Sequence, residues 1–106
     1  MKNMLILLSV SALMACATYI PLTPMQSDAD RIANKFPGIT LADLSEGKTL
    51  YEQNCVKCHN LKTPFKVSEE EVINIMPKMA HKAKIDSKTQ DLILKYILTM
   101  KTASKR

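Results

Sequence analysis

The sequence has no tryptophan and only two glycines and three cysteines among its 106 residues. So little glycine argues against a turn-rich β fold, which spends glycine at hairpins and bulges, and favours helices. Long apolar runs are missing too: the stretch from Met4 to Met14 is about half of the ~20 residues a membrane-spanning helix needs. No strand-like run, internal repeat or low-complexity block is visible. The length allows one small domain with one core, so a single site should carry the function. The charge, formally +5, is modest and scattered. It points to acidic partners or anionic surfaces and is too weak to mark a nucleic-acid binder.

The N-terminus reads as an export signal, with Lys2, the apolar run and then small residues leading to Cys16. Leu13-Met14-Ala15-Cys16 resembles the lipobox of bacterial lipoproteins. That resemblance implies cleavage before Cys16, acylation of its thiol and attachment to a membrane through lipid, with Ala17 resembling the outer-membrane sorting pattern. A plain signal peptide ending near a cysteine is the alternative. Several acyl chains on one residue would anchor stably. Residues 16–35 then read as a lipidated tether, rich in proline and polar residues at its start, with room for a short helix around Asp28 to Lys35. Phe36-Pro37-Gly38-Ile39 marks a turn, and residues 36–106 form the domain.

Within the domain the periodicity is helical. Leu44, Gly47 and Tyr51 share a face of a first helix that ends at the cysteines. Gly47 costs about 1 kcal/mol there relative to alanine, a cost that a close helix crossing would explain, although a tolerated surface glycine explains it equally. Ser68 with Glu71, preceded by Glu69 and Glu70, signals a capped helix start. Val72, Ile75 and Met76 give that helix its apolar face, and Pro77 should end or kink it near Met76. Asp86 or Ser87 caps a last helix with a stripe of Leu92, Ile93, Tyr96, Ile97 and Met100. The expected fold class is all-α.

With Cys16 lipidated, Cys55 and Cys58 are the thiols left, in the pentapeptide Cys55-Val56-Lys57-Cys58-His59. A zinc site would want a second pair of ligands, and none exists. A thioredoxin-like redox pair would sit between a strand and a helix, whereas this pair follows a helix. A structural disulfide leaves the adjacent histidine unexplained. Covalent haem attachment uses every residue of the motif: each thiol adds to one vinyl group, and His59 reaches the iron from the proximal side.

From Phe36 to Met100 the chain is similar to the class I cytochromes c, and more closely to small bacterial single-haem members. The likeness rests on "FPG" leading to "LADLSEGKTLYEQNCVKCHNL", then "SEEEVINIMPKM" and "LILKYILTM". It implies a cytochrome c-like fold of three main helices around one covalently attached haem c, with Gly47 and Tyr51 packed near Tyr96. Met79 matches the family's distal iron ligand counted from His59, with Met76 and His81 as alternatives and Met100 as core. Val72 stands where relatives often carry a tryptophan near the haem propionates. The carbonyl of Pro64 could accept from the ring N–H of His59, although a simple turn proline explains it equally. Lys57, Lys62, Lys66, Lys78, Lys82 and Lys84 would form a basic rim steering an acidic redox partner, or merely a solvated surface.

The implied function is one-electron transfer in the periplasm by a membrane-tethered carrier, not an enzyme itself, although it could serve as an accessory subunit of one. The alternative is a haem module that binds or senses a small ligand at an open or labile sixth position.

Overall fold

The computed structural model describes residues 23–55 and 63–103, and among these all regular structure is helical. The elements are α1 (Gln26–Ile32), α2 (Leu41–Cys55), α3 (Thr63–Lys66), α4 (Glu69–Ala83) and α5 (Ser87–Lys101). Three of them, α2, α4 and α5, are 15 residues long and make up most of the fold. None is long and apolar enough among the described residues to cross a membrane.

The packed body begins ahead of Phe36. In α1, Asp28, Ala29 and Ile32 are buried, so part of the stretch read as tether is a helix docked on α2 and α5. The Asp28 carboxylate accepts from the Met25 backbone N–H and from the Arg31 guanidinium, both at 2.8 Å. Arg31 also donates to the Thr99 carbonyl at 3.1 Å and to the Thr102 hydroxyl at 3.0 Å. The Thr99 carbonyl also accepts from the Thr102 N–H and hydroxyl, and Arg31 adds a donor from another element at this end of α5.

The expected turn is present: the Ile39 N–H donates to the Phe36 carbonyl at 3.2 Å, with Gly38 at φ +80°. Proline at the second turn position and glycine at positive φ in the third are what a type II turn demands. Next, Thr40 and Asp43 cap α2 reciprocally, the Thr40 hydroxyl accepting from Asp43 N–H at 3.1 Å and the Asp43 carboxylate from Thr40 N–H at 3.0 Å.

The buried residues of α2 are Leu44, Gly47 and Tyr51, the stripe that the spacing predicts. Gly47 faces α5 so closely that a Cβ built on it would lie 2.4 Å from the Leu92 carbonyl oxygen and 2.8 Å from Tyr96 Cβ. The glycine is therefore a steric requirement of the crossing, which outweighs its poor helix propensity. On α5, Leu92, Ile93, Tyr96, Ile97 and Met100 are all buried, and Asp86 is the N-cap, accepting from Thr89 N–H at 2.8 Å.

Two expectations for α4 fail. Ile75 lies outside the buried stripe of Val72, Met76 and Ala80 and is exposed. Pro77 neither ends nor kinks α4 at Met76; the helix runs on to Ala83 and closes at Lys84, whose φ of 57° is the left-handed conformation common at helix ends. Pro77 forfeits the bond to the Ile73 carbonyl, at roughly 3 kcal/mol in a helix interior. Both residues lie on the exposed side, where water can solvate the lost acceptor. Val72 and Met76, buried on the opposite side, offset that cost with about 1.5–3 kcal/mol each. The Ser68 hydroxyl, accepting from Glu71 N–H at 3.1 Å, adds an N-cap of about 1 kcal/mol.

Candidate functional site

The motif leaves α2 at its last residue. Cys55 follows Tyr51 by one helical turn, so the stripe that buries Leu44, Gly47 and Tyr51 also directs Cys55 inward. Cys55 is half-buried and packs against a cluster that includes Tyr51, Val72, Met76, Ile93, Tyr96 and Ile97. The chain re-enters this cluster at Phe65 on α3, whose ring meets Tyr51 edge-on at 6.0 Å and Tyr96 at 6.3 Å; Tyr51 and Tyr96 lie 5.8 Å apart. Three aromatic rings in mutual contact thus secure both ends of the segment that contains the motif. Pairs in such geometry contribute about 0.5–1.5 kcal/mol beyond their burial.

Cys58 and His59 lie outside the described residues, as do Cys16, Lys57 and Lys62. The proposed bond from His59 to the Pro64 carbonyl falls outside them too. Among the described residues no cluster of three or more histidine, cysteine and acidic side chains suits a metal ion.

The candidate sulfur ligands all fall on two helices. Met100 is buried in the cluster, which agrees with a packing role. Met76 is also in the cluster, 7 % exposed, and shares it with Cys55. Met79 lies three residues further along the same unbroken helix, half-buried at the edge of the stripe formed by Val72, Met76 and Ala80. Its position therefore follows from helical geometry and not from a chain break at Pro77. His81 is exposed. Val72 is 1 % exposed and fills core volume.

Exposed Lys66 lies on α3, whereas exposed Lys78 and Lys82 share α4 with Met79 and exposed Lys84 follows its end. The acidic side chains of α4, Glu69 to Glu71, are confined to its first turn. Glu69 pairs with Lys35, and the Lys101 ammonium donates to the Val67 carbonyl. These two contacts tie the α3–α4 junction to the α1–α2 junction and to the end of α5.

Sequence reasoning missed Phe65. Its short helix of four residues leaves no periodic signal, and only the aromatic ring so close after the motif could have pointed to it.

The residues present fit a covalently held, largely apolar macrocycle. One thiol of the motif is half-buried against an aromatic and aliphatic wall, and thioethers are available on the helix that follows. No protein family, curated protein or solved structure was found to match the chain.

Proposed function

We propose that the protein is a single-haem c-type cytochrome of the class I kind, a membrane-tethered carrier of one electron at a time. The observation that carries this reading is the pentapeptide Cys55-Val56-Lys57-Cys58-His59, whose first thiol ends the buried stripe of α2 against the aromatic cluster. When bound, haem supplies reversible one-electron chemistry at its iron. Cys55 and Cys58 would hold the macrocycle through thioether bonds, and His59 would bind the iron.

Two methionines of α4 compete for the distal role. Met76 is committed to the core by its burial beside Cys55 and the tyrosines, whereas Met79 is half-buried and outside that cluster. Met79 is the ligand we assign. A neutral, soft sulfur favours ferrous iron and raises the potential compared with a second histidine. With His59 and Met79 both holding the iron, no position would be left for a substrate, which favours electron transfer over catalysis. The Gly47 crossing and the Tyr51–Tyr96 contact support the likeness to class I cytochromes, because those are the contacts it implies. The exposed lysines near Met79 would steer an acidic partner by long-range attraction.

The test is the absorption spectrum of the exported protein, oxidised and reduced, with carbon monoxide added to the reduced form. The expected result is the red-edge band of sulfur-ligated ferric haem and no response to carbon monoxide, with Met79→Ala losing the band. Ready carbon monoxide binding by the unaltered protein would instead favour a ligand-binding haem module. A band that survives in Met79→Ala but not in Met76→Ala would move the ligand to Met76.

A further inference from the structure

Asp28 and Arg31 of α1 form a pair that the motif leaves unused. Asp28 is 0 % exposed, its carboxylate bonded to Met25 N–H and Arg31, and Arg31 reaches across to the carbonyl of Thr99 and the hydroxyl of Thr102. Ala29, Ile32 and Pro24 are buried beside it. The Asp28 carboxylate is removed from water while the Arg31 side chain keeps 21 % of its exposure, and all three guanidinium nitrogens donate. Losing Arg31 would leave the buried Asp28 carboxylate without its counter-charge, which ties the docking of α1 to this pair.

We propose that α1 is a mooring point that keeps the domain close to the membrane surface. This rests on the reading of Cys16 as the lipidated residue. If the domain began at Phe36, 20 residue steps would separate it from Cys16, a reach of up to about 70 Å at ~3.5 Å per residue. With α1 docked, the fixed body starts at Pro24, eight steps from Cys16, and the reach falls to at most about 28 Å. The docked helix thus shortens the span about 2.5-fold without shortening the chain, and confines the protein to a thin layer where its effective concentration toward membrane-held partners rises.

The test uses the full, acylated, haem-loaded protein on a supported bilayer of phosphatidylethanolamine and phosphatidylglycerol. Neutron reflectometry measures the gap between bilayer and protein layer, and hydrogen exchange reports α1 in the same state. The expected result is a gap no wider than about 28 Å, which widens by up to about 1.6-fold in the Asp28→Ala, Arg31→Ala double variant, since the mean span of a flexible tether grows with the square root of its length. Amides of Asp28 to Ile32 in the unaltered protein should exchange at least tenfold more slowly than an unstructured chain, a result that does not depend on the variant folding. Unprotected amides in α1, or an unchanged gap in a folded variant, would overturn the mooring alone. Loss of the unaltered protein on washing would overturn the lipid anchor, and the mooring with it.

Discussion

Gly47 occupies a position where one methyl group decides whether α2 and α5 can cross. The atom nearest to an added Cβ is the Leu92 carbonyl oxygen at 2.4 Å, which belongs to the backbone and cannot rotate away. Gly47→Ala should therefore destabilise the haem-loaded protein by about 1–3 kcal/mol despite the better helix propensity of alanine, as read from denaturant midpoints. A gain in stability would mean that the crossing is looser than described. Asp86 offers a titratable counterpart. The Thr89 backbone N–H, and after it the Thr89 hydroxyl, holds the Asp86 carboxyl below its ordinary value of 3.8. A carboxyl lowered in the folded state stabilises it above the unfolded value, and that contribution is lost as pH falls through the folded one. Asp86→Asn keeps a good N-cap and removes only the charge. Its melting temperature should lie below that of the unaltered protein at neutral pH and converge with it below pH 3.8; a difference that stays constant with pH would refute the assignment.

At the scale of elements, α4 is where local rule and outcome diverge. The local rule for Pro77 weighs only the lost bond and the ring's clash with the preceding turn. It has no access to the burial of Val72, Met76 and Ala80 on the opposite side. Pro77→Ala should consequently stabilise the folded protein by about 1–3 kcal/mol and leave the distal-ligand band unchanged, since α4 is already continuous. A lost or altered band would mean that the proline does position Met79. The stripes of α2 and α5 were legible because apolar and polar residues there alternate with helical period over several turns. The caps at Ser68 and Asp86 were legible because their side chains act within three residues. By contrast, the docking of α1 depends on Arg31 meeting Thr99 and Thr102, some 70 positions along the chain, a pairing with no local signal. The motif itself was plain in the residue order, whereas the aromatic wall behind Cys55 needed the fold, because Phe65 and Tyr96 are 31 positions apart.

For the whole molecule, the elements converge on one cluster, with α2 delivering Cys55, α3 returning the chain at Phe65, α4 carrying the methionines and α5 forming the floor. A chain this small has little core of its own, and a cofactor bonded at the end of α2 would complete it. The central claim is that Cys55 and Cys58 bind haem covalently. Intact-mass spectrometry of the exported protein, after acid–acetone extraction of any loosely held haem, tests it most directly. The expected mass is that of the chain plus one haem, with the increment lost in the Cys55→Ala, Cys58→Ala double variant. An exported chain that is folded and carries no added haem would contradict it.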